Sequence, residues 1–523
     1  MAVRRFKATK DNTITNAYKE SLTTRGTGSN MGASDIIEVF SIYGQASTTS
    51  GELSRALIEF DIATLSSSRD NGNIPASGSV DFYLRVFNAE HSSTTPTDFT
   101  LTVAAISQSW TEGIGLDMDD YSDTGVSNWI KAGSSTNWTT FHGDVEGGSF
   151  HTGSAAVTSS QFFAEGIEDL EINVTRHVEE WLNNKTGSYG FGVFLTSSLE
   201  DTATSYYTKK FFAKDSQYFL KRPVVEARWN DSKLDDASSF YLSSSRVPAA
   251  ENLNTLYLYN YVRGQLQDIP GLGADNKIYV SVYSGSNSAP AGNKLQFPIG
   301  GGVVTNNDTH VTGSKITTGV YSASFAYANS SVAELYPVWH SGSTEYLTAS
   351  AVTVSTFDTQ TSYPINSYKT SITNLQAEYG ATDTAHLRVF VQNKNFQATV
   401  YTVASTAVKP TIIEKMYYKV QRFVDKEIVI NYGTGSGDLG YTQLSYDSAG
   451  NYFDLDMSIF EPDFSYQISF LINDADNYYE LKDKFKFRII DENDLPGWWK
   501  SNNKIIIKIW VQKVFLTNKS HKK

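Results

Sequence analysis

Four carboxylates crowd one short stretch of the sequence: Asp117, Asp119, Asp120 and Asp123. Closely spaced carboxylates on a loop can wrap a calcium ion in hard oxygen ligands, and calcium is the one cofactor these residues suggest. The spacing departs from an EF-hand loop, which needs a glycine midway and a distal glutamate, because Ser122 and Asp123 follow Tyr121. A solvated acidic loop is the plainer reading, and a metal site is the alternative. Trp110, Trp129 and Trp138 bracket a Ser/Gly-rich segment. Exposed indoles can stack on sugar rings, which makes these three candidates for glycan contact, although packing is the commoner fate of tryptophan. Other constellations are missing. The 8 histidines are dispersed, with no glutamate at metalloprotease spacing and no zinc signature. No convincing Gly-x-Ser-x-Gly elbow occurs. The run Gly435–Gly440 has the glycine spacing of a dinucleotide fingerprint, but a strand-like sequence follows it where a helix is needed, so a hairpin is expected. No catalytic residue is assigned, and the chain is expected not to be an enzyme.

Any such groups must be positioned by a scaffold, and composition bounds what it is. At 523 residues the chain exceeds one hydrophobic core and should divide into three or four units. Tyr 31 and Phe 29, in a background rich in Ser, Thr, Asn and Gly, suit half-buried strands and their turns. A net charge of −13 argues against a nucleic-acid partner, since phosphate contacts need clustered Lys and Arg. With Cys 0, neither disulfides nor thiolate metal sites are available, as fits synthesis in a reducing cytoplasm. The N-terminal charges are followed by no apolar stretch of a signal peptide, and no window of the chain is apolar enough to insert in a membrane.

Along the chain, residues 1–232 hold short alternating runs such as Arg55–Phe60, Val80–Phe87 and Phe99–Ile106. Val80, Phe82, Leu84 and Val86 share one face by the two-residue period of a strand. One segment reads as helical, Asn173–Leu182, with Asn173 or Thr175 as cap and Val174, Val178, Trp181 and Leu182 as its apolar stripe. Residues 233–360 and 361–495 repeat the strand-and-turn style, which argues two immunoglobulin-like sandwiches. Residues 496–523 form a basic tail, with seven lysines and no acid from Lys500 onward. The expected class is all-β, in tandem β-sandwiches.

Several pieces of the first unit resemble the DNRLRE-domain family: Asp11–Asn16 with Asn30–Ser34, then Ser54–Asp61, Ser109–Glu112, and Leu170–Leu182 followed by Gly187–Gly192. The resemblance implies a jelly-roll-type sandwich with Arg55 on a core strand, and no chemistry of its own. In the third unit, Lys415–Phe423, Gly433–Ser436, Thr442–Asp447, Gly450–Ser458 and Lys484–Arg488 resemble virion structural proteins of marine tailed phages, including cyanophages.

That resemblance implies a particle component of the tail, baseplate or fibres, made in the host cytoplasm and located in the virion. Its partners would be other virion proteins and further copies of itself. The third unit would attach to the particle, the second would act as a spacer and the first would face outward. The alternative is a carbohydrate-binding adhesin that recognises a host-surface glycan.

Overall fold

The computed structural model describes residues 2–491 apart from 93–94, 118–125, 140–145, 152–157, 245, 273–276, 286–289, 291–293, 298–308, 357–366, 395–409, 436–438 and 475–476. The basic tail therefore lies outside the described residues. The fold is all-β, 45% strand against 8% helix, and its sheets pack as sandwiches, in line with the class expected from alternating runs. No helix among the described residues is long and apolar enough to cross a membrane.

The first unit turns on one long strand. The first half of β1 (Val3–Thr15) pairs with β10 (Val224–Arg228) and its second half with β3 (Gly51–Phe60), with an irregularity between Ala8 and Lys10. A bulge bends a strand and lets it pass from one sheet to the other. Beyond β10 one sheet continues through β4 (Asp81–Val86) to β7 (Leu170–Asn173). Beyond β3 the other runs through β8 (Phe191–Leu195) and β5 (Phe99–Ala105) to β6 (Thr158–Phe163), while β2 (Ile36–Tyr43) joins β3 to β9 (Tyr206–Phe212). Phe82, Leu84 and Val86 point inward with Leu101, Val103, Phe191 and Phe211, so the alternation in the sequence is the core. The edges β6 and β7 are tied by side chains: Gln161 donates to Asp169 O at 2.7 Å and accepts from Glu171 N at 2.8 Å.

Two helices pack together at one end. The predicted one is α2 (Thr175–Leu182), which buries His177, Val178 and Trp181; its cap position is Val174, and Asn173 instead accepts from Thr175 N at 3.0 Å. The sequence did not predict α1 (Ile62–Asp70), because it carries no apolar stripe and buries only Leu65 and Ser68. Its start is fixed by Asp61, whose carboxylate accepts from Ala63 N and Thr64 N, and Arg69 ties it to Glu179 of α2 through two bonds of 2.6 and 2.8 Å. A one-turn helix, α3 (Ser197–Glu200), follows β8.

In the second unit, β11 (Asn254–Tyr259), β16 (Val320–Phe325) and the end of β15 (Val311–Thr317) form one layer. The start of β15, with β14 (Ile278–Tyr283), β17 (Glu334–Ser341), β18 (Thr344–Thr348) and β19 (Val352–Thr353), forms the other. The crossing falls at Gly313, where an added Cβ would stand 2.6 Å from Ser322 O, so only glycine fits. Trp339, Tyr321 and Phe325 fill the core, and a small ribbon, β12 (Tyr261–Val262) with β13 (Gln265–Leu266), stands outside it.

The third unit packs β20 (Tyr368–Ile372), β22 (Thr384–Asn393), β26 (Gly450–Asp456) and β25 (Ser445–Asp447) against β21 (Glu378–Gly380), β29 (Phe485–Ile490), β27 (Ser465–Asp474), β23 (Met416–Arg422) and β24 (Ile428–Ile430), with β28 (Asn477–Glu480) beside β27. Leu387, Val389 and Val391 meet Tyr418, Val420 and Phe470 between the layers, and Tyr418 stacks on Phe453 at 4.5 Å. Ala2, Val3 and Leu220 of the first unit belong to this same core. The first and third units thus pack directly on each other, and the second is not a spacer between them.

Candidate functional site

The three tryptophans do not form an open glycan platform. The described parts of the segment 107–150 fold back over the outer face of the β3/β8/β5 sheet, and Trp110, Trp129 and Trp138 join Ile14, Leu57, Phe150 and Phe194 in a second small core, only 4%, 5% and 2% exposed. The sheet is apolar on both faces here, so a cover is needed, and indoles supply area with a polar handle to satisfy. Trp110 Nε1 donates to Tyr189 O at 2.9 Å and Trp138 Nε1 to Asn128 O at 2.7 Å. Arg55 pins the cover: it grips Glu200 with bonds of 3.0 and 2.7 Å, donates to Gly147 O at 2.7 Å and lies 5.2 Å from the Trp129 ring centre. Gly147 has φ +78°, and a Cβ there would meet both Arg55 and Trp129 at 2.8 Å.

Of the acidic loop, Asp117 is described and exposed, whereas Asp119, Asp120 and Asp123 lie outside the described residues. Among the described residues no group of three or more His, Asp or Glu could hold a metal ion. Residues 436–438 of the Gly435–Gly440 run lie outside the described residues; the next regular element is the strand β25 and not a helix, but β24 before the run and β25 after it belong to different sheets, so the run does not join the two strands of a hairpin. The arrangement nearest to catalytic geometry was not anticipated: Ser281 Oγ lies 2.8 Å from His340 Nε2, and His340 Nδ1 lies 3.1 Å from Gly342 O. Ser281 is fully buried in the middle of its sheet and His340 nearly so, and burial lowers the imidazole pKa. The bond joins β14 to β17.

The densest charged site lies where the first and third units meet. Arg5 on β1, Arg85 on β4, Glu171 on β7, and Glu226 and Arg228 on β10 share the outer face of one sheet, opposite core residues such as Leu84, Ile172, Val225 and Ala227. Glu226 accepts from Arg5 Nε at 2.6 Å, Arg85 Nη1 at 3.2 Å and Arg228 Nε at 2.7 Å. Glu171 completes the network, 3.0 Å from Arg85 and 2.7 Å from Arg228. Burial would push the Glu226 carboxyl up, but the fields of Arg5, Arg85 and Arg228 outweigh it and hold the group far below the usual carboxylate range. From this face Arg5 donates to Val429 O at 2.5 Å, Lys221 pairs with Glu427 at 2.8 Å and Arg228 covers the Tyr441 ring at 5.0 Å. These contacts border a polar cleft of about 500 Å³.

The linker after β10 makes a second joint. Asp235 N donates to Tyr446 O, Tyr446 Oη donates to Asp236 Oδ1 at 2.7 Å, and Asp236 Oδ2 accepts from Thr255 N at 2.7 Å, so β25 of the third unit and β11 of the second are held by one short segment. Burial pushes the Asp235 carboxyl up to about 7, against the opposing hydrogen bond from Ala237 N. The sequence gives no signal for either joint, because the charged residues are spread from position 5 to 427 and each reads locally as solvated.

No family model and no curated protein matches the chain. Among solved structures, the fibronectin(III)-like modules of Clostridium thermocellum CbhA are similar at 11% identity with a TM-score of 0.16, over 51% of this chain and 94% of that one. The sandwich class of this chain rests on its own sheets and cores, with the tandem units built as described above.

Proposed function

We propose that the chain is a structural component of a tailed-phage particle, associated with the tail, baseplate or fibres, and that it works by protein–protein assembly rather than catalysis. One observation carries the reading. The segments that resemble phage virion proteins supply β23, β25, β26 and most of β29, and it is on this unit that the rest of the chain docks: the N-terminus enters its core and the linker bonds to Tyr446. Tight mutual packing of this kind fixes the relative orientation of the units, which a subunit placed in a particle requires. Exposed side chains such as Leu116 and Val424, at 64% and 76% exposure, offer apolar contacts to neighbouring virion proteins or copies of the chain. The test is deletion of the gene from a phage that encodes the chain, with complementation in trans. Particles lacking tail parts or infectivity, restored by the intact chain, agree with the reading; normal infectious particles without it overturn the reading.

A further inference from the structure

A second cleft, of about 450 Å³, opens where all three units meet. Its size falls in the range of small-ligand sites, which favour junctions between domains. Ile316 of the second unit, 52% exposed, and the half-buried Pro75 of the first supply its accessible apolar surface, and Trp229 and Tyr452, both largely buried, close it from behind. Three polar groups in its lining have hydrogen-bonding capacity left. The Asn73 carboxamide is exposed and makes no side-chain hydrogen bond among the described residues, and the Lys233 ammonium forms no ion pair there. Asp454 gives one carboxylate oxygen to His386 Nδ1 at 2.7 Å, leaving the other. Carboxamide, carboxylate and ammonium together can donate to and accept from neighbouring hydroxyls, while the apolar surface of Ile316 and Pro75 suits the C–H face of a sugar ring. Phosphate and other strong anions are disfavoured, since Lys233 is the cleft's one cation among its described lining and two carboxylates, Asp231 and Asp454, stand with it.

We propose that this cleft binds a neutral saccharide. The site is distinct from Trp110, Trp129 and Trp138, which pack in the small core under the cover and do not line this cleft, and it does not rest on the particle reading: a chain that binds glycan but is absent from virions would keep this proposal and lose that one. The probe is a printed array of neutral hexose- and N-acetylhexosamine-containing oligosaccharides, followed by calorimetric titration of the strongest binder with the full chain. Asn73→Ala and Asp454→Asn alter half-buried or exposed groups, so the melting temperature should stay close to that of the parent while the Kd rises about tenfold or more in each. Absence of any array signal, signal confined to polyanionic glycans, or a Kd unchanged in both variants would each overturn the proposal.

Discussion

Arg5 and Val429 stand 424 positions apart in the chain and are joined by a hydrogen bond of 2.5 Å from the guanidinium of one to the carbonyl of the other. The register that pairs Arg5 with Glu226 aims this arginine out of the first unit and into the third. The opening strand is therefore a component of two units.

Replacing Glu226 with Gln leaves Arg5, Arg85 and Arg228 buried around a neutral amide. Removing one partner of a buried charge network commonly costs about 3–5 kcal/mol, so the variant should melt well below the parent. Calorimetry checks this, and a change under about 1 kcal/mol would mean that the network is solvated.

Deletion of residues 2–7 should loosen the third unit around β23 and β24, more than 400 positions away, because Ala2 and Val3 leave its core and Arg5 leaves Val429. Hydrogen exchange is the readout: amides of β23 and β24 should lose protection. Faster exchange confined to β10 and β3 would show that the units do not depend on each other.

The linker carboxyl gives a dependence on pH. Asp235 in the folded chain titrates near 7, above its unfolded value, so its stabilising contribution is complete below the unfolded pKa and is lost as pH rises towards and through about 7. Asp235→Asn keeps an acceptor for Ala237 N but cannot ionise. It should raise stability by about 1–2 kcal/mol at pH 8 and change little at pH 4. A melting curve that shifts equally at both pH values would show that ionisation of Asp235 is not the cause.

Truncating Trp138 to Ala should cost about 3–5 kcal/mol through the cavity left under the loop, without altering glycan binding. Gly147→Ala should also destabilise, since its Cβ would strike Arg55 and Trp129. Binding to the oligosaccharide array lost in Trp138→Ala while the melting temperature held would restore the tryptophans as ligand contacts.

Strands were legible where one face is apolar and the other is not. The run His386–Val391 reads as a strand, and Leu387, Val389 and Val391 do point inward from β22. Helix α1 was hidden because its cap and an ion pair to α2 hold it, and neither has a periodic signature. The tryptophans were ambiguous because the residue type that stacks on sugars also covers apolar sheets; only the return of the loop over Leu57 and Phe194 decides between them. Charged positions opposite a core face normally lie open to water. Arg5, Arg85 and Arg228 are largely covered by the third unit, and alternation along a strand says which face a side chain takes but not what comes to cover it.

Whether the chain is built into the virion is read by quantitative mass spectrometry of gradient-banded particles from a phage that encodes it. A structural component is expected at a fixed copy number per particle that survives a high-salt wash. Its presence in the infected-cell lysate but not in the banded particles would exclude it from the virion.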